Sequence, residues 1–262
     1  MLSKLWKHEI VGTGRMMAVF YVILAAATAL LSVIGILKQR FENISGIFTL
    51  SMVFYAVTII AALVVSFAYL CVRFYQTMYS AQGYLTHTLP VKTTSILNVK
   101  IITSCGYLFL TLALCLLSVF TVCMVQTSGE AFGILKAAVQ QTVAEFAGEA
   151  QMPKAAAAIS LIVAMALTVL NALLLFFAGS SIGQLFSRSK AAYGIAASIG
   201  LYYVGQVISL VLVGIGYLAA RDMVLQYGMK WAVVFAIVMA VCWTVAYYTI
   251  SRVVVTRHLN LE

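Results

Sequence analysis

Gly179-Ser180-Ser181-Ile182-Gly183 has the spacing G-x-S-x-G, which in serine hydrolases places a nucleophilic serine on a sharp strand-to-helix turn. That chemistry needs a base within hydrogen-bond reach. The three histidines, His8, His87 and His258, all lie outside the long apolar stretches, so none is at hand for Ser180 or Ser181. The same five residues match GxxxG, which lets membrane helices approach closely, and their apolar surroundings favour that packing role over catalysis. No H-E-x-x-H occurs. The cysteines, Cys71, Cys105, Cys115, Cys123 and Cys242, sit in or at the ends of apolar stretches without a C-x-x-C, which fits packing rather than a metal site. Nor is there a G-x-x-x-x-G-K-[ST], so the chain is not expected to be an enzyme or to bind a cofactor or metal of its own. If it performs work, the energy arrives through another subunit.

The elements that hold these residues are set by composition. Of the 262 residues 64% are hydrophobic and only 9% charged, with a mean hydropathy of +1.06; a soluble domain is roughly half apolar and one-quarter charged. About 20 apolar residues in a helix cross a bilayer core of roughly 30 Å. Stretches of that kind run from about Met16 to Leu37, Ile47 to Val72, Ile101 to Val125, Ala155 to Phe186, Ala191 to Ala220 and Trp231 to Ser251. They lack the period-two alternation of membrane strands, so the expected fold is all-α integral membrane, with six transmembrane helices in one domain covering 1–262. Pro90 and Pro153 lie outside the spans, which leaves breaks in the helices to glycine or serine. No span holds an Asp, Glu, Lys, Arg or His in its interior, which disfavours coupling to ions through a buried charge. Asn171, Gln184 and Gln206 are polar exceptions. Interhelical hydrogen bonding is the first expectation for each, and Asn171 and Gln206 are the candidates for contact with a substrate.

Ten of the 16 Lys and Arg, namely Lys4, Lys7, Arg15, Arg73, Lys92, Lys100, Arg188, Lys190, Arg252 and Arg257, fall on the side that holds both termini; Glu42, Glu130, Glu145, Glu149 and Asp222 gather on the other. Both termini are therefore expected in the cytosol. The positive charge reads as topology plus attraction to anionic membrane lipids, with no cluster suited to nucleic acid. Ala25-Ala26-Ala27 and Ala27-Thr28-Ala29 have the A-x-A form of a signal-peptide cleavage site, but the apolar run continues to Leu37, too long for a signal peptide. Ahead of it, Leu2, Leu5, Trp6 and Ile10 share one helical face, the pattern of an interfacial helix over 1–15, with Gly12-Thr13-Gly14 as its turn into the bilayer. In the outer connection, 126–154, Phe132, Leu135, Val139, Val143 and Phe146 recur at helical spacing. That predicts an amphipathic helix between the third and fourth spans, packed against the spans or else resting on the outer face.

The segment 73–98 is the polar exception on the cytosolic side. Arg73 to Gln82 continues as a short helix that sets Tyr75, Met78 and Tyr79 on one side; Gly83 suits its end, Pro90 forces an extended connection, and Thr93 or Thr94 suits the cap of the next helix. Tyr75, Tyr79 and Tyr84 are aromatic anchors of the kind that dominate protein interfaces. They fit equally an interfacial tyrosine belt.

Gly83-Tyr84-Leu85-Thr86-His87-Thr88-Leu89-Pro90-Val91, followed by Ile96, Leu97 and Lys100, resembles the loop after the second span in permease subunits of bacterial ABC transporters of the type-2 exporter class. Met1 to Glu9 with Gly14-Arg15 is similar to their opening, and Ser181 to Phe186 with Lys190 to their fourth-to-fifth span junction. Gln82 stands where such permeases often carry an acidic residue. The resemblance implies that Tyr75, Met78, Tyr79, Gln82, Gly83, Tyr84, Leu85, Thr86, Leu89 and Pro90 form a coupling helix and elbow that insert into a separate ABC ATPase subunit, which carries ATP and Mg. It further implies a second permease copy, a place in the bacterial cytoplasmic membrane, and export of amphipathic peptides of antimicrobial or cytolytic kind, with lipids or apolar drugs as the alternative. A membrane scaffold or sensor using the same loop is the rival from another class, and an intramembrane serine hydrolase the least favoured.

Overall fold

A computed structural model describes residues 2–41, 44–80, 83, 92–127, 130–186, 189–219 and 221–257. Among them there are seven helices and no strand: α1 Leu2–Arg40, α2 Ser45–Tyr79, α3 Thr93–Gln126, α4 Ala131–Glu149, α5 Lys154–Gly183, α6 Lys190–Ala219 and α7 Arg221–Arg257. Six segments are long and apolar enough to cross a membrane: Leu5–Arg40, Ser45–Tyr79, Thr93–Gln126, Lys154–Gly183, Lys190–Leu218 and Lys230–Thr256. The protein is an all-α, multi-pass membrane protein. In lipid a helix satisfies its own backbone polar groups, and large apolar side chains face outward at no cost. Phe54, Leu210 and Leu218 are accordingly among the most exposed large apolar side chains of the described residues. Hydroxyls in the spans turn back on their own helix, as where Thr28 Oγ1 donates to Leu24 O at 2.7 Å and Ser32 Oγ to Thr28 O at 2.8 Å.

The chain divides into two compact units, Met1–Val72 with Ile102–Val139, and Arg73–Ile101 with Gln140–Glu262. In the first, Leu31, Phe48, Tyr55 and Val122 form the core. Beside it a line of hydroxyls joins helices: Tyr21 Oη lies 3.1 Å from Thr111 Oγ1, and Ser118 Oγ lies 2.6 Å from both Thr28 Oγ1 and Tyr55 Oη. Each pairing removes two polar groups from the apolar interior together.

The turn expected at Gly12-Thr13-Gly14 does not form. α1 runs unbroken for 39 residues, about 58 Å at ~1.5 Å per residue. Gly14 serves close approach instead: a Cβ on it would lie 2.6 Å from Tyr107 Oη, and that hydroxyl donates to Ile10 O at 2.8 Å. The connection 126–154 does hold a helix, α4, yet its apolar face is not the packed one along the first half. Phe132, Leu135 and Val139 are exposed, while Ala131, Ala147 and Ala150 are buried. Small side chains permit the closer contact, so the exposed row fits the membrane-resting alternative.

In the second unit α5 packs on α6 through the GxxxG residues. A Cβ on Gly179 would meet Ser198 N at 2.6 Å, and one on Gly183 would meet Gly194 Cα at 2.6 Å; neither backbone neighbour can give way. α7 is broken at Gly228, with φ 41° and ψ −114°, a conformation open to glycine and strained for other residues. The membrane-crossing part of α7 starts just beyond, so the break indeed falls to a glycine.

Candidate functional site

The end of α2 and the start of α3 frame the polar segment singled out in the sequence, and both pack within the second unit. Phe74 stacks on Phe177 of α5, ring centroids 3.8 Å apart and planes at 10°. One turn on, Met78 is fully buried. Tyr79, also buried, meets Phe74 edge-on at 5.9 Å and sets its Oη 2.6 Å from Ser181 Oγ. Ser181 Oγ in turn donates to Phe177 O at 2.7 Å. Since a serine carries one hydroxyl proton, Tyr79 is the donor in its own bond.

Lys100 lies on the same level of α3 and is only 4% exposed. Its Nζ donates to Thr77 Oγ1 at 2.6 Å, and Thr77 Oγ1 donates to Arg73 O at 2.7 Å. A buried ammonium is costly unless hydrogen-bonded, and here it cross-links the two helix ends that lead into and out of the segment. Farther along, Tyr248 Oη of α7 donates to Asn98 Oδ1 at 2.9 Å.

The expected interface is thereby divided. Tyr75, Met78 and Tyr79 do follow one another in helix, but Met78 and Tyr79 face inward and Tyr75 is half-buried, tilted against Tyr79 at 6.2 Å. They form the base of the segment rather than a free surface. The reason is Phe74, which extends the apolar stripe toward α5; a stripe read from sequence does not say whether a partner or the protein's own fold covers it. α2 stops at Tyr79, and Gly83, buried and itself helical, donates its N–H to Ser80 O at 2.7 Å. Thr93 and Thr94 are the first residues within α3, and Lys92 just before it holds the cap position, its carbonyl accepting from Ser95 N at 2.8 Å. Gln82, Tyr84, Leu85, Thr86, Leu89 and Pro90 lie outside the described residues.

At the other candidate positions, Leu2 opens α1, Leu5 and Trp6 are half-buried and Ile10 is exposed. Asn171 Nδ2 donates to Ala240 O of α7 at 3.0 Å, the interhelical role expected of it, while Gln206 is exposed on α6. Neither lines the open cavity of about 450 Å³ between α6 and α7, whose walls include Ser209, Tyr217, Trp231, Phe235 and Met239. In the first unit a groove of about 390 Å³ is lined by Tyr21, Ala25, Thr28, Ala29, Ser32, Ser118 and Thr121, with leucines. Neither lining contains a charged side chain. Among the described residues no three His, Cys, Asp or Glu gather as metal ligands, and the five cysteines are free thiols. Ser180 and Ser181 stand in the continuous helix α5, not on a strand-to-helix turn.

Phe74, Phe177 and Ser181 are the residues that sequence reading missed at this base. The spacing of Phe74 to Met78, four residues, carried the signal. No protein-family model matches the chain, and none of the curated proteins or solved structures compared with it gives a match.

Proposed function

We propose that this protein is the permease subunit of an ATP-driven ABC exporter in a bacterial cytoplasmic membrane, with both termini in the cytosol and ATP hydrolysed in a separate subunit. The observation that carries the reading is the anchorage of the 73–98 segment. Its base is stacked and hydrogen-bonded onto α5 through Phe74, Phe177, Tyr79 and Ser181, and α5 is locked to α6 through Gly179 and Gly183. A push delivered to such a segment reaches two spans through these contacts. The resemblance of the Gly83 to Pro90 stretch supplies the identity of the pusher, an ABC ATPase gripping Tyr84 and its neighbours. Met78 and Tyr79 then act as the root of the lever, not as its contact surface.

The assembly is read as two permease copies with two ATPases. Its cargo is amphipathic or apolar, best an amphipathic peptide, because the grooves at membrane depth offer hydroxyls, aromatic rings and methyl groups with no fixed charge. ATP hydrolysis by the reconstituted assembly should rise several-fold with added amphipathic peptide. Stimulation by a lipid or an apolar drug and not by any peptide would reassign the cargo.

A further inference from the structure

The second to fourth turns of α1 carry a charged groove that lies outside the segment given a role in the proposed transport. Lys7, His8, Val11, Gly12 and Arg15 line an open depression of about 530 Å³. At about 100° per residue, Lys7, His8, Val11 and Arg15 fall within roughly 100° of the helix circumference, and Glu9 falls outside that arc. The other side of the helix is occupied: Thr13 and Met17 are buried, and Tyr107 Oη holds Ile10 O at 2.8 Å. The groove is therefore held facing outward by packing on its opposite side. Gly12 has no side chain to fill it.

A fitting ligand must be anionic toward Lys7, His8 and Arg15, which line the depression together, and apolar where Val11, 56% exposed, leads into the run that starts at Met16. A phosphodiester carried on acyl chains meets both demands. Its oxygens accept from the ammonium, the imidazole N–H and the guanidinium fork, while the chains continue along the apolar helix. We infer that this groove is a binding site for the headgroup of an anionic phospholipid. Free phosphate lacks the apolar half of the fit. The site does not depend on the transport reading.

The test uses the full chain in bilayer discs of phosphatidylcholine containing a minor share of phosphatidylglycerol, with retained lipid measured by mass spectrometry after mild detergent extraction. The intact chain should keep phosphatidylglycerol in preference. Lys7→Gln with Arg15→Gln should lower that preference by roughly 25-fold, about fivefold for each cation near the surface, and Val11→Glu should lower it without removing a cation. Lys136→Gln with Lys230→Gln should leave it unchanged. If the control pair weakens retention as much, the attraction is bulk charge and the site is overturned. It is overturned equally if the groove variants retain the lipid, or if millimolar inorganic phosphate displaces it.

Discussion

Ser181 donates its single proton to Phe177 O and accepts from Tyr79 Oη, so the pair behaves as one unit. Tyr79→Phe and Ser181→Ala should each lower stability in detergent by about 1 kcal/mol, the net worth of one hydrogen bond. The double variant should cost little more than either alone; full additivity in thermal unfolding would show the bond to be unimportant. At this scale the sequence was partly readable. Tyr75, Met78 and Tyr79 lie in helix as their spacing predicts, whereas the burial of Met78 and Tyr79 depends on Phe177 and Ser181, about a hundred residues away. Lys100, too, appears in sequence as a charge at the margin of a span, and only its placement beside Thr77 reveals a buried cross-link.

Helix existence followed directly from apolar length, and the spans read from sequence agree with the helices; the ends of α1, α2 and α3 run on past them. Nothing in hydropathy stops a helix when it leaves the bilayer, and Gly12-Thr13-Gly14 reads as a turn although Gly14 instead admits Tyr107. Gly14→Ala should destabilise the chain through contact with Tyr107 Oη at 2.6 Å. In a Tyr107→Phe background the same change should be nearly neutral, and an equal loss in both backgrounds would refute the steric explanation. Gly183→Ala should prevent the α5–α6 packing, since its Cβ would meet the backbone of Gly194. Gly106→Ala, with open space around it, should be stabilising by up to about 1 kcal/mol through helix propensity. Folded yield in mild detergent separates the two: a Gly183→Ala chain as abundant as the Gly106→Ala chain would contradict the close-packing account.

For the molecule as a whole, the pattern of Lys and Arg predicts a side for each connection. With the native cysteines replaced by alanine, Lys136→Cys should react with a membrane-impermeant maleimide added to intact cells. Lys92→Cys should react only after permeabilisation, and the reverse pattern would invert the topology. The central claim is that work enters this chain at the segment between α2 and α3 from an ATPase it does not itself contain. The most direct measurement is purification of the tagged chain from its native membrane in mild detergent, followed by assay of bound ATPase. A separately encoded P-loop ATPase should co-purify and hydrolyse ATP, and Tyr84→Ala should remove it while leaving the yield of the chain unchanged. A chain that carries no ATPase, or one whose ATPase stays bound and active with Tyr84→Ala, would contradict it.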